Sequence, residues 1–171
     1  MEIERKFLLN EQPENLEQYP HYGIEQAYIL TQPVIRVRKK TSYQTGSLIP
    51  SDISYILTVK GSGMLAREEF ELPLDASAYE KLCQKAEGNI ITKTRYLLPL
   101  PEGLTMELDV FANTFEGLVI AEIEFPDEQT ANSYALPAFV KSEVTFDTRF
   151  HNSTMSHMTS GEIQSFLKSL S

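Results

Sequence analysis

The chain has a single cysteine, Cys83, and no tryptophan. One thiol cannot close an internal disulfide or build a thiolate metal centre, and a reducing, cytoplasmic setting is expected for it. The three histidines, His21, His151 and His157, follow no metal-ligand spacing and are expected on the surface. No apolar run approaches the roughly 20 residues that cross a bilayer, and Met1-Glu2-Ile3-Glu4-Arg5-Lys6 lacks the apolar stretch of a signal peptide. Positive charge is in deficit, with 15 Lys and Arg against 24 Asp and Glu, a net charge of −9. Such a chain is expected to bind neither nucleic acid nor an anionic membrane. An anionic small molecule would need a local cluster of cations, a metal, or both.

Hydrophobic residues make up 42% of the 171 positions and charged residues 23%, enough apolar matter for a packed core and against disorder. The length suits one domain, residues 1–171. Short runs alternating apolar and polar residues predict strands near 1–9, 24–31, 34–41, 54–60, 67–73, 92–99, 104–111, 117–125 and 142–147. Three stretches predict helices. Asp75 caps one whose apolar stripe is Tyr79, Leu82, Cys83 and Ala86 and which Gly88 ends. Asp127 opens a shorter one reaching about Tyr134. Thr159 and Glu162 have capping-box spacing ahead of Ile163, Phe166, Leu167 and Leu170. Many strands with few helices predict an α+β, mostly β, antiparallel sheet or barrel.

Side chains two apart on a strand share a face. On that rule Glu2, Glu4 and Lys6 lie opposite Ile3 and Phe7, and Arg36 and Arg38 lie opposite Ile35 and Val37. Lys60 opposes Leu57 and Val59. Arg67, Glu69 and Glu71 oppose Phe70 and Leu72. Lys93 pairs with Arg95, Glu107 and Asp109 oppose Leu108 and Val110, and Glu122 and Glu124 oppose Ile123 and Phe125. A strand with one charged face is ordinarily half-buried with its charges in water. The alternative is a barrel whose charged faces turn inward and whose apolar faces lie under helices. The pattern is compatible with both. Arg5, Lys39 and Lys40 fall outside the set and are expected in solvent, whereas Lys141 and Arg149 are expected near the mouth of such a barrel.

The order of these pairs resembles the CYTH family, the triphosphate tunnel metalloenzymes. Glu2-Ile3-Glu4-Arg5-Lys6 matches its Glu-x-Glu-x-Lys motif. Arg36-x-Arg38, Thr58-Val59-Lys60-Gly61, Arg67-x-Glu69-Phe70-Glu71, Lys93-x-Arg95-Tyr96, Glu107-x-Asp109, Glu122-x-Glu124 and Glu143-Val144-Thr145-x-Asp147 follow in order. The resemblance spans nearly the whole chain. One segment departs: the family often has Gly-Asp and then a Tyr-Ser-Asn-like run where this chain has Phe146-Asp147 and then Phe150-His151-Asn152.

The resemblance implies a closed antiparallel barrel of eight strands around a triphosphate tunnel, with a few helices packed outside, and so selects the inward reading. It implies a phosphate cradle of Lys6, Arg36, Arg38, Lys60, Lys93 and Arg95, with Arg67 added. Metal ligation by Glu2, Glu4 and Glu124 is implied, with Glu107, Asp109 and Glu122 nearby. Oxygen ligands of this kind suit Mg²⁺ or Mn²⁺. A second metal, or a carboxylate such as Glu69 or Glu71, would orient the attacking water, and the sequence leaves both open. The implied activity is hydrolysis of inorganic triphosphate, extending to nucleoside triphosphates. A class IV adenylate cyclase and a non-catalytic polyphosphate-binding module are the alternatives, and thiamine triphosphate is disfavoured by the missing tryptophan. A homodimer is left open.

Overall fold

The alternating segments form ten strands in the computed structural model, which describes residues 1–171: β1 (Glu2–Leu9), β2 (His21–Thr31), β3 (Val34–Tyr43), β4 (Pro50–Lys60), β5 (Ala66–Arg67), β6 (Glu69–Leu74), β7 (Glu87–Pro99), β8 (Thr105–Ala112), β9 (Val119–Glu124) and β10 (Val140–Glu143). Their order is β10-β1-β9-β8-β7-β2-β3-β4-β6. The ring closes through β5, which pairs back onto β1 at Glu2↔Arg67 and Ile3↔Ala66, while β6, one residue later, pairs with β4. With β5 and β6 counted as one interrupted strand, eight strands form a nearly closed antiparallel barrel. β10 hangs on β1 beside the ring at Phe7, Leu8 and Leu9.

Register decides which face points inward. Lys6 pairs with Glu122 and Glu4 with Glu124. Arg95 pairs with Asp109, Gln26 with Arg38 and Lys60 with Glu69. All of these face one lumen, because a shift of one residue would turn every side chain over. The opposite face carries Ile3, Phe7, Leu98, Met106, Leu108, Ala121 and Ile123, a core closed by Leu16, Phe125 and Ala131. Helix α1 (Ala76–Cys83) covers a smaller patch of Ala27 and Val37 with Tyr79. Fully burying one such aliphatic or aromatic side chain is worth about 1.5–3 kcal/mol, so the apolar outer face holds the charged inner face shut. Helix α2 (Glu128–Ser133) lies beside β1. No helix is long and apolar enough to cross a membrane.

One end of the lumen is not charged. Tyr28, Phe111 and Ile120, two residues along from Gln26, Asp109 and Glu122, pack on Phe150, Met155, Ile163 and Phe166. Those four come from the C-terminal segment that carries α3 (Asn152–Ser156) and α4 (Ser160–Lys168). These two helices, outside the strands like the others, plug one end of the barrel. The five-residue α3 is too short for a periodic stripe and was not predicted.

Several boundaries differ from the sequence reading, β2, β4 and β7 beginning earlier at His21, Pro50 and Glu87, and two of the differences bear on the site. The strand expected over 142–147 stops at Glu143. Beyond it Val144 N–H donates to the Lys6 carbonyl at 2.8 Å, and Thr145 Oγ1 accepts from Lys6 N–H at 3.0 Å, so the chain bends toward the lumen. Helix α1, capped by Asp75 accepting from Ala78 N–H at 2.7 Å, ends at Cys83 and not at Gly88. Gly88 belongs to β7 at φ +80°, where a Cβ would stand 2.0 Å from the carbonyl oxygen of Ser156. Its hydrogen lets β7 and the plug approach. The Thr159–Glu162 capping box forms in both directions.

Gly88→Ala should therefore cost at least the about 1–3 kcal/mol of a strained backbone and loosen residues 152–158. Urea unfolding checks this; an unchanged midpoint would contradict the close approach.

Candidate active site: a charged lumen

Most lumen cations have carboxylate partners. Lys6 Nζ lies 3.0 Å from Glu122 Oε1 and 3.3 Å from Glu4 Oε1. Lys93 Nζ lies 2.5 Å from Asp109 Oδ2. Arg95 donates to both Asp109 oxygens at 2.6 and 2.8 Å and to Glu122 at 2.7 Å, and also reaches Glu107. Lys60 Nζ bridges Glu2 at 2.8 Å and Glu69 at 3.2 Å, although Glu69 Oε2 has no well-aligned hydrogen bond. Arg67 lies 3.5 Å from Glu2 and 3.7 Å from Glu4.

Burial would raise Glu122 and Asp109, but Lys6 and Arg95 hold the first, and Arg95 and Lys93 the second, below the usual carboxylate range. Burial would lower Lys6, but Glu122 and Glu4 outweigh it and raise its ammonium. Lys93 differs: burial dominates, Asp109 offsets only part of it, Arg95 adds repulsion, and its ammonium is pushed down to about 8.

Two cations have no carboxylate at ion-pair distance. Arg36, 5% exposed, donates only to Thr58 Oγ1 at 3.1 Å, and its Nε has no partner. Arg38, half-buried beside it, donates Nε to the neutral Gln26 Oε1 at 3.0 Å. Burial, then the positive charge of Arg36 and Arg95, lowers Arg38 to about 10. A desolvated, unpaired charge is costly, and an anion arriving between these two groups removes that cost. The lumen keeps a cavity of only about 70 Å³, so a larger anion must part some ion pairs to enter.

The carboxylates divide in the same way. Asp109, fully buried, and Glu122 are occupied by cations. Burial and then the neighbouring charges of Glu2, Glu4 and Glu69 raise Glu124, which stands exposed at the unplugged end. No three acidic or imidazole groups converge tightly enough to hold an ion in this conformation. Even so, the crowded oxygen donors Glu2, Glu4 and Glu124 are of the type a hard divalent cation takes, and a cation would relieve their repulsion.

Several expected residues lie elsewhere. Glu71 is exposed and does not line the cavity. Arg5 is not simply solvated: it holds Glu143 at 2.7 Å and the carbonyls of Ala131 and Tyr134. Lys40 Nζ lies 3.9 Å from the centroid of the Tyr22 ring. Lys141 reaches the Leu170 carbonyl and Arg149 pairs with Asp147, both away from the lumen. His21 is half-buried between Tyr43 and Tyr96. His151 lines the lumen, where burial and then Lys6 lower its imidazolium.

The sequence reading missed Gln26, Tyr28, Asn152 and Ser153 in the lining. Being neutral, they carry no charge alternation; the only signal was that Gln26 and Tyr28 keep the inward parity of β2. Past Val34, Arg67, His151 and Ser153 the lumen opens into a basin of about 950 Å³ that includes Thr31, Gln32, Ser62 and Thr154.

Asp109→Asn leaves Lys93 and Arg95 buried and under-neutralised, and should cost about 3–5 kcal/mol at neutral pH by urea denaturation. Because Asp109 and Glu122 are depressed in the folded state, their contribution is complete above the unfolded carboxylate pKa of about 4. It is lost as pH falls through their lower folded values. Wild-type stability should fall below about pH 4, and less steeply in the variant; equal slopes would contradict the assignment.

No family model matches the chain. It is 36% identical over 155 residues to an inorganic triphosphatase of Nitrosomonas europaea, covering 90% of this chain and 95% of that one. It is 42% identical over 104 residues to an inorganic triphosphatase of Acetivibrio thermocellus, covering 58% of this chain and 63% of that one. A crystal structure of an inorganic triphosphatase superposes with a TM-score of 0.63 at 31% identity, over 93% of this chain and 96% of that one. A Hippeastrum adenylyl cyclase candidate with dominant triphosphatase activity has the same fold, with a TM-score of 0.51 at 15% identity over 77% of this chain and 83% of that one.

Proposed function

The chain belongs to the CYTH family of triphosphate tunnel metalloenzymes, and we propose that it is a metal-dependent hydrolase of inorganic triphosphate. The observation that carries this is the pair Arg36 and Arg38, inward-facing guanidiniums without a carboxylate. A linear triphosphate is a rod of negative charge, and guanidinium forks grip phosphate oxygens in pairs. Lys6, Lys60 and Arg67 complete the cradle as the anion displaces their carboxylates, and Lys93 and Arg95 join it while still held by theirs.

Glu2, Glu4 and Glu124 would hold the divalent ion, Mg²⁺ or Mn²⁺. Such an ion neutralises phosphate charge and makes bound water more acidic. Asp109, Glu122 and Glu107 act as counter-ions that keep Lys93 and Arg95 aimed. Glu69, with one oxygen lacking an aligned partner, accepts a proton from the attacking water. That water's oxygen bonds to a terminal phosphorus as the phosphoanhydride bond breaks, giving phosphate and pyrophosphate.

Cyclase chemistry is the second reading, and it needs a purchase for the nucleoside. The basin lining holds no Phe, Tyr or Trp, its ring side chains being Pro33, His151 and His157, and the Tyr22 face is occupied by Lys40. Both favour a substrate without a base.

Phosphate release from a panel of triphosphates, with Mg²⁺ and Mn²⁺ compared, tests this. Inorganic triphosphate should show a higher kcat/KM than ATP. Arg38→Ala should lower it by about 1.5–3 kcal/mol, roughly ten- to a hundredfold. Glu4→Gln should abolish turnover with the fold intact. Cyclic AMP as the main product from ATP, with inorganic triphosphate untouched, would move the assignment to the cyclase.

A further inference from the structure

The unpaired guanidinium of Arg38 is held by an amide, and that amide reaches the C-terminal plug. Gln26, 1% exposed, accepts from Arg38 Nε through Oε1. Its Nε2 donates to Asn152 Oδ1 at 3.0 Å and to the Tyr28 hydroxyl at 3.2 Å. Asn152 Oδ1 also accepts from Lys93 Nζ at 3.1 Å. Two neutral side chains thus link Arg38 on β3 to Lys93 on β7. Gln26 belongs to the strand between them, and Asn152 enters from outside the ring. Its helix is fastened to β7, where Asn89 Nδ2 donates to the carbonyls of Met155 and Met158 at 3.2 and 2.8 Å.

Neutrality is the informative property. Elsewhere in the lumen carboxylates steer the cations, as Asp109 and Glu122 steer Arg95, and each neutralises what it orients. An amide oxygen fixes a guanidinium equally well and leaves its charge for the ligand. Resting on the triphosphatase reading, we infer that Gln26 and Asn152 are positioning residues that aim two cations at one phosphoryl group: Arg38, with its charge uncancelled, and Lys93, which also keeps Asp109. The plug over residues 148–158 is then a wall of the substrate site, and its docking is linked to triphosphate binding.

Gln26→Glu and Asn152→Asp keep side-chain size while adding a negative charge beside Arg38 and Lys93. Each should raise KM for inorganic triphosphate at least about tenfold, as expected for loss of a charge-assisted contact, while the thermal midpoint stays level or rises. A purely structural role predicts a lower midpoint with KM unmoved. A third variant, Asn152→Ala, cuts the tether without adding charge.

Hydrogen exchange in EDTA, with and without inorganic triphosphate, reads the linkage directly. Amides of 148–158 should gain protection on binding in wild type and lose that gain in Asn152→Ala. Wild type that cleaves triphosphate while both charge variants keep its KM, or while 148–158 gains no protection, overturns this inference and leaves the functional reading standing. Wild type that cleaves no triphosphate with either metal overturns both.

Discussion

Unneutralised positive charge inside a low-dielectric barrel is the constraint the rest of the molecule is arranged around. Arg36 and Arg38 face inward without a carboxylate, and Arg36 has a guanidinium nitrogen with no acceptor at all. Water would normally solvate such groups, but here protein replaces most of it. The barrel tolerates them because surrounding structure fixes their positions. Thr58 across the β3–β4 ladder holds one, Gln26 across β2–β3 holds the other, and the apolar outer faces keep the strands from turning over. The other five cations follow the opposite rule. Their charges are offset by carboxylates, so these ion pairs support the fold.

That division also explains the architecture at the two ends. A through-tunnel would admit water to the guanidiniums from both sides and weaken their hold on phosphate. The C-terminal segment packs Phe150 and Met155 onto Tyr28, Phe111 and Ile120 and leaves the basin beside His151 and Ser153 as the opening on its side. The carboxylates of Glu2, Glu4 and Glu124 crowd together, and a divalent cation there would relieve their repulsion.

Much of this was legible in the sequence because the signal is a parity. Each Glu-x-Glu, Arg-x-Arg or Glu-x-Asp pair states that two charges share a face, and the structure turns nearly all of those faces inward. Glu71 keeps the parity but lies where β6 runs out toward solvent, a matter of barrel closure that alternation does not encode. Gln26 and Asn152 were illegible for a different reason. Their importance lies in being uncharged among charges, and Asn152 reaches the lumen from a five-residue helix through a bend no periodicity announces. His151 was misplaced with it. Gly88 looked like a helix terminator because the sequence cannot reveal that the backbone of Ser156 passes against it.

The most direct test of the account is the unfolding midpoint of wild type and Arg36→Met, each measured with and without inorganic triphosphate in EDTA. Methionine replaces the buried guanidinium with an apolar chain of similar length. Without ligand the variant should be as stable as wild type or more so, since it removes an uncompensated charge. With ligand, wild type should gain stability by mass action and the variant little or none. A variant less stable without ligand, yet raised by triphosphate as much as wild type, would show that Arg36 is a structural group and that the anion binds elsewhere.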